Sequence, residues 1–148
     1  MIRVYVQQIQ QALQSKLYFP ALSLTLALPD MCGMVEYSNK SVAERYILWY
    51  DQYISPRLID DEYDKDTPYM SGELVYNLRN TLLHQGSPSI CFEKVKDDAN
   101  ILDKFALDLN PSPVDSVIMF YTFRGETVRA MTVNVINLCN YICESALE

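Results

Sequence analysis

Apolar positions recur at helical spacing at the start of the chain, where Val6, Ile9, Leu13 and Leu17 alternate with Gln7, Gln8, Gln10, Gln11 and Gln14. That period predicts an amphipathic helix with a glutamine-rich outer face. Pro20 suits a helix start, and Ala21 to Leu28 is apolar at almost every position. This run predicts a buried helix, which Pro29 must kink or end. Ser41 followed by Glu44 is a capping-box pattern. It opens a helix whose stripe is Val42, Tyr46, Trp49 and Tyr53 and which stops before Pro56. Residues 60–66 form a charged loop, after which Thr67 and Pro68 cap a helix over residues 68–85 with Gly86 as its C-cap.

Beyond Gly86 the periodicity shortens. Phe105, Leu107 and Leu109 alternate with Ala106 and Asp108, a half-buried strand pattern. Asn110-Pro111-Ser112-Pro113 makes a turn, and Ser116 to Phe123 is rich in β-formers, so a hairpin is expected here, joined by a short strand around Phe92. Arg124-Gly125 breaks it. Val128, Met131, Val135, Leu138 and Ile142 then predict a final helix running to the C-terminus. The expected fold is mainly α: an antiparallel bundle of four or five helices, with a small β-hairpin inserted before the last helix, forming one domain over residues 1–148.

Composition narrows the functional classes. The chain has 148 residues, enough for one domain that buries about two-thirds of its unfolded surface. Twelve basic and nineteen acidic residues give a net charge of −7, which disfavours loose, sequence-independent nucleic-acid binding through basic patches. Cys32, Cys91, Cys139 and Cys143 show no framework spacing and no signal peptide precedes them, so reduced thiols in a cytoplasmic protein are expected. Cys139 and Cys143 share a helix face, but without a further Cys or a His beside them core packing outweighs a metal site. The acidic loop lacks EF-hand spacing and its glycine. No metal and no cofactor are expected. Leu17 to Val35 is the nearest approach to a membrane segment, and its interruption by Pro20, Pro29, Asp30 and Gly33 argues for a buried helix and no membrane.

Candidate chemistry collects on the helix before Gly86. At about 100° per residue, Leu74, Val75, Leu78, Leu82 and Leu83 form one apolar arc, with Glu73, Asn77, Asn80 and His84 opposite. Arg79 falls inside the arc, where its permanent charge needs a carboxylate, a phosphate or an opening to solvent. Arg79 and His84 lie roughly 140° apart on an ideal helix. They converge only if the last turn loosens at Gly86 or a second subunit supplies one of them. Simpler roles stand beside this. A histidine in a last turn favours the helix dipole, and an arginine in an apolar arc can form a structural ion pair or snorkel. Asp30, the one charge between Leu17 and Val35, should be buried and paired, with Arg79 as first choice of partner and Arg45 as second.

The run Arg79-Asn80-Thr81-Leu82-Leu83-His84 resembles the R-N-x-x-x-H signature of the HEPN superfamily, helical domains of which many cut RNA without a metal ion. The resemblance extends over residues 1–148 in helix order and is specific at residues 78–86. A looser likeness joins Ala27 to Asp30, Glu44 to Tyr46 and Leu78 to Asn80 to a group of bacterial proteins. The HEPN resemblance implies a metal-independent endoribonuclease, of a bacterial toxin or defence system, with Arg79, Asn80 and His84 catalytic. His84 would move protons at the 2′-hydroxyl or the leaving 5′-oxygen, and Arg79 would neutralise charge on the phosphate. Asn80 would orient one of them or hold a phosphate oxygen. Glu73, Asn77 and Asp30 would support the site. It further implies a homodimer sharing one cleft, an RNA substrate and an antitoxin-like protein partner. The alternative is a catalytically silent helical module that dimerises or binds a protein partner, for which the acidic charge and eleven tyrosines speak.

Overall fold

The structure is a computed structural model, and it describes residues 1–58, 69–86 and 102–148. It is mainly helical, with a small three-stranded sheet. The elements are α1 (Ile2–Gln14), α2 (Tyr18–Thr25), α3 (Leu28–Glu36), α4 (Val42–Tyr53), α5 (Ser55–Leu58), α6 (Gly72–Gln85), β1 (Lys104–Asp108), β2 (Ser116–Phe123), β3 (Glu126–Asn134) and α7 (Val135–Ser145). The charged loop at 60–66, the Thr67-Pro68 cap, Cys91 and the strand expected around Phe92 lie outside the described residues.

Helix α1 buries Val6 and Ile9 as its period requires. It ends sooner than the apolar spacing suggests, because Lys16 takes a left-handed φ of 58° and turns Leu17 out to solvent. The apolar stretch after it divides at Leu26 and Ala27 into α2 and α3. Pro29 stands in the first turn of α3, where its missing N–H costs nothing. So Pro29 helps to start a helix instead of closing the one before. Residues Tyr18 to Glu36 are the one stretch among those described whose length and composition would suit a membrane span. Ala21, Leu22, Leu26 and Leu28 within it are fully buried in the protein core.

Ser41 and Glu44 close the capping box of α4 in both directions. The face that α4 buries carries Tyr46, Trp49 and Tyr50, rotated away from Val42, which is exposed. This helix packs against α3 on one side and α6 on the other. Both crossings are close. A Cβ on Gly33 would stand 2.6 Å from the Arg45 carbonyl oxygen, and one on Gly72 would stand 2.8 Å from the Ile47 carbonyl oxygen. The start of α6 is therefore set later than residue 68. Ser71 caps it, accepting from the Leu74 N–H, and the Gly72 N–H donates to Asp51 Oδ1 at 2.7 Å.

The sheet departs furthest from expectation. Its order is β1-β3-β2, with β1 parallel to β3 and β2 antiparallel to it. The hairpin joins β2 to β3, and Arg124-Gly125 is its two-residue turn, with φ of 52° and 81° at the two positions. Two successive positive φ values match the twist of a tight hairpin. Residues 126–134 are thus a strand and not the first turns of the last helix. Met131 and Val133 are buried at a period of two, whereas Val128 faces the other side. The spacing of Val128, Met131 and Val135 imitates a helical stripe because it spans a strand and a helix placed end to end. Asn134 makes the switch: its side chain accepts from Asn137 N–H to cap α7 and donates to the Asn110 carbonyl at 2.7 Å.

The Gly72 crossing yields a test. Gly72→Ala pushes a methyl into the backbone of α4 and should destabilise the fold by about 1–3 kcal/mol. Gly86→Ala meets open space but must hold φ of 64°, so a smaller loss of about 1 kcal/mol is expected. Urea unfolding of the two variants measures the order.

Candidate functional site

The three segments that carry the sequence likenesses meet around α4. Asp30, in the first turn of α3, accepts from Arg45 Nε at 2.6 Å, with the two side chains only 24% and 15% exposed. The pairing expected for Asp30 is present, but its partner is Arg45 on α4 and not Arg79. The close crossing at Gly33 places the first turns of α3 against the start of α4 and so decides between them.

Arg79 is left without a carboxylate within ion-pair distance among the described residues. Its Nη1 donates to Asn80 Oδ1 at 2.9 Å. Its guanidinium carbon lies 5.8 Å from the Tyr76 ring centre and 6.0 Å from that of Tyr46. The two rings touch edge to face, 5.2 Å apart at 61°. The negative faces of two aromatic rings thus stand in for a counter-ion, an arrangement that attracts a cation without neutralising it. Arg79 Nε is buried and has no hydrogen-bond partner among the described residues, and neither has the hydroxyl of Tyr46. Burial pushes the Tyr46 phenol far above its ordinary range, while the charge of Arg79 draws it back down and those of Asp30 and Tyr76 raise it further. These four side chains share one electrostatic environment. Tyr50, one turn further along α4, is raised in the same way by burial, with Tyr46 and Asp51 adding to it.

His84 is exposed in the last turn of α6, two residues before Gly86 in its left-handed cap. The helix stays regular through Gln85. By helical geometry Arg79 and His84 of one chain therefore remain about 140° apart and about 7.5 Å apart along the axis. The polar face expected beside His84 is only partly open. Asn77 is buried and donates to the Glu73 carbonyl at 3.0 Å, while Glu73 and Asn80 are half-buried. Of the residues singled out from sequence, Arg79 and Asn80 are brought together directly. Asp30 is committed to Arg45 and reaches them only through the effect of its charge on Tyr46, and His84 stands apart.

No cluster of three metal-ligating side chains occurs among the described residues. Cys139 and Cys143 lie on the buried face of α7, where burial pushes their thiols up to about 12 and about 11. Thiols so raised stay protonated at neutral pH and are poor ligands. Tyr46 and Tyr76 are the site residues that sequence reasoning passed over. Tyr76 was legible, since it precedes Arg79 by three positions and so shares its helix face. Tyr46 was visible only as a core aromatic, because its approach to Arg79 depends on how α4 crosses α6. Scans of family models, of curated proteins and of solved structures each return no match to this chain.

Two substitutions test this description. Arg45→Met leaves the half-buried Asp30 carboxylate unpaired and should cost about 1–3 kcal/mol, and adding Asp30→Asn should recover part of it. A double-mutant cycle by urea unfolding reads the coupling, and additive losses would mean that the pair contributes nothing. Tyr46→Phe removes a buried hydroxyl that has no partner, so stability should hold or rise by up to about 1 kcal/mol. A loss as large as that of a broken hydrogen bond would show that the hydroxyl is engaged.

Proposed function

We propose that this chain is a HEPN-like, metal-independent endoribonuclease that works as a homodimer. One observation carries the reading: the guanidinium of Arg79 is positioned by Asn80 and two aromatic rings, with its charge uncommitted to any carboxylate among the described residues. An arginine held in this way has a strong affinity for an anion of phosphate shape. The Asp30–Arg45 pair supports the reading, because the carboxylate expected to neutralise Arg79 is satisfied by a different base. The net charge of −7 confines any RNA contact to a small cationic pocket.

Within one chain the regular path of α6 keeps Arg79 and His84 on different sides, so a composite site from two copies is what brings them together. A neutral His84 takes the proton of the 2′-hydroxyl as that oxygen attacks phosphorus. The bond from phosphorus to the 5′-oxygen breaks, and the leaving oxygen takes a proton from a protonated histidine, that of the second copy. The products are a 2′,3′-cyclic phosphate and a 5′-hydroxyl. Arg79 sits against the non-bridging oxygens, where negative charge accumulates. The toxin or defence role, with an antitoxin-like partner that restrains cleavage, belongs to the same proposal.

A catalytically silent dimerising or partner-binding module is the second reading. Its support is the covered Nε of Arg79 together with the buried Asn77, which leave little open polar surface beside His84. Incubating the purified chain with total RNA in EDTA and analysing the new ends separates the two. Cleavage to cyclic-phosphate ends is expected, falling at least about 100-fold in Arg79→Ala and in His84→Ala. Cleavage that requires added metal, or that is unchanged in His84→Ala, overturns the nuclease. A dimer by light scattering that cuts no RNA selects the silent module.

A further inference from the structure

Among the described residues strand β2 lies at the edge of the sheet, and none of its eight residues is charged, proline or glycine. Edge strands of monomeric proteins are normally interrupted by such residues, because open N–H and C=O groups invite another strand. Asn134 N–H donates to the Asp115 carbonyl at 2.8 Å, in line with the register that pairs Ser116 with Val133 and Phe123 with Glu126. Since hydrogen-bonding direction alternates along a strand, odd-numbered residues of β2 bond β3. Ser116, Ile118, Phe120 and Thr122 aim their backbone groups at the open edge. The outer face of the strand is uncovered as well, with Val117, Met119 and Phe123 48%, 52% and 55% exposed; on the core-facing side Ile118 packs on the core and Phe120 is left 54% exposed.

We propose that β2 is an interface for a second copy of this chain, the two strands pairing antiparallel about a two-fold axis at Phe120 to make one six-stranded sheet. Self-pairing fits the charge distribution. Two copies at −7 each repel across most of their surface, whereas β2 itself carries no carboxylate and has cations over the rings at its Phe123 end. Lys104 Nζ lies 5.7 Å and 5.9 Å from the Tyr121 and Phe123 ring centres, and the Arg124 guanidinium is 5.3 Å from the Phe123 ring. An axis at Phe120 sets the two Phe120 rings side by side and covers the exposed aromatic on the core-facing side of the sheet. It also puts Arg124 of each copy at the Ser116 end of the other, beside Asp115, so the ends are complementary in charge. The surface is separate from Arg79, Asn80 and His84, and stands whether or not the chain cuts RNA.

Hydrogen exchange on the full chain tests the proposal, read at low and high protein concentration with light scattering alongside. The amides of Ser116, Ile118, Phe120 and Thr122 should become protected as concentration rises, while those of Val117, Met119 and Tyr121 are protected throughout. Phe120→Lys, at an exposed position with its fold checked by circular dichroism, should halve the assembly mass and abolish the concentration-dependent protection. Even-numbered amides that exchange freely at every concentration overturn the interface, and so does an assembly mass that Phe120→Lys leaves unchanged. Protection independent of concentration also overturns it, since a segment of the same chain would then cover the edge. Thr122→Lys, further from the axis, should weaken the same protection and guards against a failure peculiar to position 120.

Discussion

Helix α4 lies against α3 and α6 at distances that exclude a side chain at the point of contact, and glycine occupies both points. Gly33 faces the Arg45 carbonyl and Gly72 faces the Ile47 carbonyl. The two carbonyls are only two residues apart, so α4 is gripped from both sides over about half a turn. Much of the candidate site follows from this grip. It sets Asp30 against Arg45, carries Tyr46 inward, and lets α6 bring Tyr76 and Arg79 up to the same ring. Close packing makes such a crossing intolerant of small volume changes, so the geometry around Arg79 is held by backbone contacts rather than by flexible side chains.

Two arginines on neighbouring helices face this region and are treated differently. Arg45 is paired with a carboxylate and contributes mainly to joining α3 to α4. Arg79 rests on aromatic faces, which stabilise a cation without discharging its field. With no carboxylate on it among the described residues, a half-buried cation of this kind has a demand for an anion, and that demand is the physical content of the functional reading. A carboxylate on Arg79 would have removed it.

The sheet is attached to the helical part by polar contacts as much as by apolar ones. Asn134 caps α7, and Asn137 and Tyr141 on that helix bond Asp115 at the start of β2 at 2.9 Å. Phe105, Leu107 and Ile118 pack their inner face on the core, while the outer face of β2 is left apolar and open. Among the described residues the sheet therefore has one side committed to the fold and another side and one edge uncovered.

Local signals in the sequence determined the helices with caps of their own: the Ser41–Glu44 box, the Gly86 C-cap and the period of Val6 and Ile9 each act within a few residues. They also placed Arg79 on an apolar face and asked for a partner for Asp30, because a charge in an apolar pattern needs compensation wherever it lies. The identity of that partner was not local, since Arg45 and Arg79 sit on different helices and only the α3–α4 crossing chooses between them. The exchange of helix for strand at residues 126–134 has the same origin. A strand followed directly by a helix can carry an apolar spacing that passes for one helical stripe, and pairing with β1 and β2 settles which period is used. Tyr46 shows the limit most plainly: as sequence it is a core aromatic, and it becomes a neighbour of Arg79 only because two glycines, far apart in the chain, let three helices close on one another.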